Sequence, residues 1–113
     1  MKIPKAIELL EQVETKKTPI PFRRHKLKVG HRSELPGFPT GSYPVKAAKQ
    51  ILAVVRNLQS NCEFKGFDPE RVQIIHAAAH RGRQIKDYVQ RAYGRSSPNF
   101  HTLVHIELAG QEV

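Results

Sequence analysis

The sequence predicts an α+β protein in which helices pack on a small antiparallel sheet, with a long protruding β-hairpin and an extended basic strap. Two segments, Ile3–Val13 and Val45–Cys62, place apolar residues at helical spacing. Two later segments, 72–79 and 101–108, contain β-branched residues in the alternation typical of strands. A chain of 113 residues is long enough for one domain with a modest core. We therefore divide it into a helix (1–17), the strap (18–41), a core helix (42–66) and the hairpin (71–109).

The ends of the two helices are predicted from capping and breaking residues. Lys16–Lys17 suit the last turn of the first helix, because the helix dipole favours cations there. Ser42 is expected to cap the core helix, with Pro44 in its first turn, where a missing N–H costs nothing. Gly66 is expected to end that helix in the left-handed conformation. Cys62 lies on the apolar stripe, so we expect a small buried hydrophobe rather than a nucleophile.

The strap is predicted from prolines and glycines that a helix does not accommodate. Pro19 and Pro21 favour extended conformations in the residues before them, and Leu35–Gly41 is rich in breakers. No part of the strap is expected to bury itself, which is unusual inside a compact domain but reasonable on RNA, where phosphates supply the missing partners. The strap carries five basic residues, which are Arg23, Arg24, Lys26, Lys28 and Arg32.

The connection between the two predicted strands is a second basic segment. It covers residues 80–98 and far exceeds the usual hairpin loop of about 2–5 residues. Asp87 is its single anion. If its two sides stay paired, a hairpin from Ala77 to a tip near Tyr88 projects roughly 35 Å. We expect an external polyanion to shape this segment, because cations dominate it: Arg81, Arg83, Lys86, Arg91 and Arg95.

The charge of the whole chain favours a nucleic-acid partner. Lysine and arginine number 19 against 10 acidic residues, and ten of the 19 lie in the two basic segments. A single charge run is usually a solvated face, but two runs without a helical or strand period favour nucleic acid. Tyrosines can stack on unpaired bases, and arginines can form paired hydrogen bonds to phosphate. The predicted RNA-binding residues are Arg23, Arg24, His25, Lys26, Lys28, His31, Arg32, Arg81, Arg83, Lys86, Tyr88, Arg91, Tyr93 and Arg95.

Other classes of function have little support. No phosphate-binding glycine motif occurs, so we expect neither an enzyme nor a cofactor. His76 and His80, like His101 and His105, are four residues apart, and on a strand that spacing covers roughly 13 Å, too far for one metal ion. Antiparallel pairing would set His80 near His101 and His76 near His105, with only two ligands per pair, so we expect no metal site. One cysteine allows no disulfide framework, and no run of about 18 apolar residues suggests a membrane span.

Four segments together resemble a known family. Pro19–Arg24, Gly41–Lys49, Ile75–Arg83 and Arg91–Pro98 closely resemble the archaeal and eukaryotic branch of a universal large-subunit ribosomal protein, counted twenty-second in bacteria and seventeenth in animals. The resemblance implies a structural constituent of the cytosolic (cytoplasmic) ribosome that binds large-subunit rRNA and contacts neighbouring large-subunit proteins. It also implies that the hairpin tip lines the exit tunnel and meets the nascent peptide. The tunnel-lining residues it indicates are Ile85, Lys86, Asp87, Tyr88 and Val89.

The resemblance leaves departures and one alternative. Members of the family normally have a strand and a further helix before the residues that match Lys2, so the third strand of their sheet is not predicted here. Gln90 stands where the family usually has proline, and Asp87 stands where a cation or a neutral residue is commoner. From the residues alone, a free-standing single-stranded nucleic-acid-binding module outside the ribosome is the alternative function.

Overall fold

The protein consists of two helices packed against one end of a long β-ribbon. The computed structural model describes all residues, 1–113. The predicted α+β class, with helices on a small antiparallel sheet, is confirmed. The elements in chain order are α1 (Ile3–Glu14), β1 (Ile20–Pro21), β2 (Gly41–Ser42), α2 (Val45–Phe64), β3 (Val72–Ile85), β4 (Tyr88–Gln90), β5 (Ser96–Pro98) and β6 (His101–Glu112).

The core lies where the apolar faces of both helices meet the first residues of β3. Burial of these faces removes apolar surface from water, which is the main favourable term in folding. Only 11 residues are buried, and none of them follows Val72, so the core occupies one end of the molecule. Cys62 is 7 % exposed within the core, as expected for a small hydrophobe. The central cluster is Ile3, Ala6, Val55, Cys62 and Val72, with Ile7, Leu10, Ile51, Leu58, Ile74 and Leu108 packed against it.

Both helices end in the same type of C-cap. Gly66 has a φ of +81°, and the amides of Gly66 and Phe67 donate to carbonyls of the last turn, so the predicted left-handed cap is confirmed. In α1 the corresponding position is occupied by Lys16, which has a φ of +58°. The helix ends at Glu14, so Lys16 and Lys17 lie beyond its last turn and not within it as predicted. The expected Ser42 cap is wrong. Ser42 pairs with Ile20 in the β1–β2 ladder, and α2 therefore starts only after Pro44.

The strap is folded back on itself rather than extended. β1 and β2 pair antiparallel, and His31 bridges to Thr40, so the two ends of the segment meet. The amide of Phe22 donates to the Thr40 carbonyl at 3.0 Å, and the amide of Arg32 donates to the Pro39 carbonyl at 2.7 Å. The residues between β1 and β2 satisfy backbone groups internally that an extended strap would leave to a partner. We call residues 22–40 the cationic loop.

The hairpin is longer than the two predicted strands. β3 runs on to Ile85, β6 begins at His101, and β4 pairs with β5 beyond them, so most of the expected irregular connection is itself paired. We call residues 80–105 the arm. The molecule measures 63 × 35 × 21 Å with a radius of gyration of 18.0 Å, whereas a compact chain of this length would have about 13 Å. The difference reflects the arm, which extends away from the core.

The register of the ribbon contains two irregularities. β3 holds one extra residue near Ile75 and another near Gly82, each a bulge opposite a shorter stretch of β6. His80 lies opposite His105, His76 opposite Ala109 and His101 opposite Ile85. The predicted histidine pairs are therefore wrong, because the chain reverses at residues 93–94 and not nearer to Tyr88.

Candidate nucleic-acid interface

The arm presents its cations on a thin ribbon. A two-stranded ribbon has no second layer to cover its side chains, and no residue of the arm is buried. The helices that form the core pack only against the other end of the ribbon. The arm is therefore a long exposed surface dominated by five cations, which are Arg81, Arg83, Lys86, Arg91 and Arg95.

The arm ends in a tight turn at residues 92–95. The Arg95 amide donates to the Ala92 carbonyl at 3.3 Å, and the two central residues have positive φ, +60° at Tyr93 and +66° at Gly94. Positive φ at both central positions is the signature of the turn type that matches strand twist in hairpins. Tyr93 is 99 % exposed at this end. The distal turn is thus not formed by Ile85–Val89, which lies further back along the arm.

The predicted tip segment instead spans an interruption of strand pairing within the arm, where Lys86 and Asp87 have no strand partner. The Tyr88 amide donates to Oδ1 of Asp87 at 2.8 Å, and the Asn99 amide donates to the Asp87 carbonyl at 2.8 Å. The Tyr88 ring packs edge-on against Phe100, with 5.6 Å between ring centroids. Beyond this interruption, Gln90 lies in β4 opposite Ser96. Asp87 therefore accepts two backbone hydrogen bonds at this interruption in addition to carrying the arm's single acidic charge.

The cationic loop forms the second basic surface. Its five cations face one anion, Glu34. Two of its residues other than glycine, His25 and Lys28, have positive φ, +53° and +59°. Aromatic rings lie close to three of the cations. Arg23 and Lys26 lie 6.0 and 5.3 Å from the centroid of Phe38, and Arg32 lies 5.1 Å from the centroid of Tyr43.

None of the ten cations of the arm and the loop forms an ion pair within the chain. The ion pairs that lysine and arginine do form lie elsewhere in the chain: Arg56 with Glu11 at 3.0 Å, Lys49 with Glu14 at 3.8 Å, and Arg71 with Glu112 at 4.0 Å. In the arm, Nε of Arg91 donates to Oγ of Ser97 at 3.1 Å, which orients the guanidinium without neutralising it. The two basic surfaces thus keep their full charge for an external anion.

A smaller polar group lies on the ribbon at the start of the arm. Glu107 accepts a hydrogen bond from Nε2 of His80 at 2.9 Å and lies 3.8 Å from Nε2 of His76. No group of three or more His, Cys, Asp or Glu side chains is placed to hold a metal ion. Neither helix is sufficiently long and apolar to cross a membrane.

The structure distributes the fourteen predicted RNA-binding residues over two separate surfaces. Seven lie in the cationic loop and seven in the arm. Sequence reasoning missed the rings of Phe38 and Tyr43, which contact loop cations, and the Phe100 ring against Tyr88. An aromatic residue lies within or next to each basic run, and this was the one feature of the sequence that could have indicated such contacts. Without the fold, nothing showed which ring would meet which cation.

Gly82 allows the two strands of the arm to approach closely. A Cβ at this position would lie 2.8 Å from Nε2 of His105 and 3.0 Å from the carbonyl oxygen of Leu103. We expect Gly82→Ala to destabilise the arm by about 1–3 kcal/mol, the usual cost of overpacking. Amides of the arm should then exchange hydrogen faster by about tenfold or more. Gly30→Ala is the control, because a Cβ at Gly30 meets nothing within 4 Å; equal exchange in both variants would contradict the expectation.

Comparison with known proteins identifies the family of this chain. The model of the family described as "Ribosomal protein L22p/L17e" matches residues 1–110. The chain belongs to the ribosomal protein L22p/L17e family. This membership confirms the resemblance seen in the four sequence segments.

Archaeal members of the L22p/L17e family are similar to this chain over almost its whole length. It is 49 % identical to the large ribosomal subunit protein uL22 of Archaeoglobus fulgidus over 110 residues, which are 97 % of this chain and 71 % of that protein. Identity to uL22 of Thermofilum pendens is 45 % over 111 residues, 98 % of this chain and 72 % of the relative. Identity to uL22 of Methanocaldococcus jannaschii is also 45 %, over 112 residues, 99 % of this chain and 72 % of the relative.

Proposed function

We propose that this protein is a structural constituent of the large subunit of the cytosolic ribosome, which binds rRNA through the cationic loop and the arm. The observation that carries the proposal is that ten cations on two protruding surfaces have no anionic partner in the chain. A polyphosphate supplies those partners, and binding then gains from the release of condensed counterions. Membership of the L22p/L17e family supports the large subunit as the site of that rRNA.

The arm is the part of the protein that reaches deepest into rRNA under this proposal. Its two strands satisfy each other's backbone groups, so its exposed side chains are free to contact RNA on both faces. We propose that its end lines the exit tunnel and meets the nascent peptide, with the distal turn at Tyr93 lying beyond the segment Ile85–Val89. The helical body then faces neighbouring large-subunit proteins. No catalytic step is assigned to any residue.

Sedimentation of the full-length chain in a cell lysate tests the proposal. A ribosomal constituent travels with large subunits through a gradient, and treatment with ribonuclease releases it. The alternative, a free-standing module that binds single-stranded nucleic acid, stays near the top of the gradient at low protein concentration. Finding the chain there while large subunits sediment normally would overturn the ribosomal assignment.

Tyr93 should contribute a stacking contact at the end of the arm. A tyrosine in the left-handed conformation is strained, and such strain is found mostly where function maintains it. Asparagine tolerates this conformation, so Tyr93→Asn removes the ring while keeping the turn. We expect affinity for large-subunit rRNA to fall by about 1–3 kcal/mol, the usual value of one stacked base. Tyr93→Phe retains the ring and should bind like the parent; loss in Tyr93→Phe equal to that in Tyr93→Asn would contradict stacking.

A further inference from the structure

We infer that Phe38 and Tyr43 are positioning residues for RNA phosphate: their rings hold Arg23, Lys26 and Arg32 in place without neutralising their charges. The inference rests on the proposed rRNA-binding function and adds to it a role for two uncharged residues. Neither ring is assigned a contact with RNA itself.

Closure of the loop brings the rings and cations together. The bridge between His31 and Thr40 and the 2.7 Å hydrogen bond from the Arg32 amide to the Pro39 carbonyl join the two sides of the loop. The Gly41 amide also donates to the Gly30 carbonyl at 3.3 Å. Phe38, which belongs to the returning side, therefore lies beside cations of the outgoing side although it is far from them in sequence.

The ring of Phe38 contacts two cations. Cζ of Arg23 lies 6.0 Å from the ring centroid and Nζ of Lys26 lies 5.3 Å from it, both within the range of a cation–π contact. Arg23 and Lys26 are exposed, whereas the ring is half-buried. His25, next to Lys26, has a φ of +53°.

The ring of Tyr43 contacts Arg32 in a similar way. The guanidinium carbon lies 5.1 Å from the centroid of the Tyr43 ring. Nε of Arg32 is buried and has no hydrogen-bond partner. A buried donor without a partner is costly unless another interaction offsets it. The ring beneath the guanidinium offsets part of that cost and fixes the orientation of the group.

A ring orients a cation without consuming its charge. A carboxylate in the same place would pair with the cation and reduce its attraction for phosphate, whereas a ring face attracts the cation without neutralising it. Side chains held before binding lose less conformational freedom when they meet the ligand, so affinity rises without any added charge. The expected signature is an effect on affinity that is separate from the number of phosphate contacts.

The test measures binding of the full-length chain to deproteinised large-subunit rRNA of Archaeoglobus fulgidus across a range of salt concentrations. We expect Phe38→Leu to bind about 3–10-fold more weakly, in keeping with the usual strength of exposed cation–π contacts. The slope of log affinity against log salt should stay unchanged, because no charge is lost. Arg23→Ala/Lys26→Ala should weaken binding and also make the slope shallower. Phe38→Tyr keeps a ring and should restore the parent affinity.

A double-mutant comparison separates positioning from direct stacking on a base. If Phe38 acts through Arg23 and Lys26, adding Phe38→Leu to Arg23→Ala/Lys26→Ala causes no further loss. If the ring stacks on RNA, the full loss persists in that background, and the inference is overturned. An unchanged affinity in Phe38→Leu also overturns it. Should Phe38→Leu fail to fold, Tyr43→Leu tested with and without Arg32→Ala decides the same question.

Binding by the parent protein distinguishes failure of the proposed function from failure of the positioning role. A parent chain that binds the rRNA no better than transfer RNA of equal concentration removes the proposed function itself. A parent chain that binds the rRNA selectively, with all ring variants equal to it, removes only the positioning role.

Discussion

Replacing Arg81, Arg83, Arg91 and Arg95 together by alanine is expected to lower affinity for large-subunit rRNA by about 100-fold to 1,000-fold, because each lost phosphate contact removes a charge-assisted hydrogen bond and the release of condensed counterions. These residues lie on the exposed arm and have no anionic partner that would have reduced their contribution. The slope of log affinity against log salt should become shallower by about 3, since each phosphate contact contributes about 0.7–0.9. Filter binding or fluorescence anisotropy at several salt concentrations measures both quantities.

The control removes the same charge from the helical body. Lys5, Lys16, Lys17 and Lys65 are exposed and lie outside both basic surfaces. Replacing these four by alanine changes the net charge equally, so a purely nonspecific attraction would weaken to the same extent in both variants. We expect a loss of less than about tenfold in the control, because screening limits charges that do not contact phosphate. Equal losses in the two variants would contradict an interface located on the arm.

Leu52→Ala is expected to destabilise the protein by about 2–5 kcal/mol, the range for truncating a buried leucine. Leu52 is 3 % exposed on the buried face of α2. A core of so few residues supplies little stability, and small domains have only about 5–15 kcal/mol in total. We therefore expect a large fall in the midpoint of thermal or urea unfolding. Circular dichroism of the helices measures that midpoint.

Leu27→Ala is the matched control for that substitution. It makes the same chemical change in the cationic loop, where Leu27 is 93 % exposed. Truncating this side chain removes almost no buried apolar surface, so we expect the free energy of unfolding to change by less than about 0.5 kcal/mol. If both variants unfold at the same point as the parent, the Leu52 side chain does not contribute buried apolar surface to the folded state.

The sequence predicted most of the body, because its elements follow strong local patterns. The stripes of α1 and α2 gave both helices and identified Cys62 as a core residue, and Gly66 ended α2 as expected. The Ser42 cap was wrong, since a local capping preference lost to the pairing of Ser42 with Ile20. Pairing between residues so far apart in sequence leaves no local signal. The same limit explains why the cationic loop was expected to be extended.

The candidate site was predicted in composition but not in geometry. Charge runs identified both basic surfaces, because charge can be read residue by residue. The pairing between the two strands could not be read, since it depends both on the position of the distal turn and on bulges near Ile75 and Gly82 that shift the register. Tyr93–Gly94 carried the turn signal, but the preference for such turns is weakened by a tyrosine in the first central position. The contacts of Phe38 and Tyr43 needed the closed loop.

The most direct test of this account is the salt dependence of binding between the unmodified chain and deproteinised large-subunit rRNA. If the ten unpaired cations of the loop and the arm meet phosphates, log affinity should fall with log salt with a slope between about −7 and −9. A slope shallower than about −2 would mean that few of them contact phosphate, and it would contradict the claim that these two surfaces form the interface.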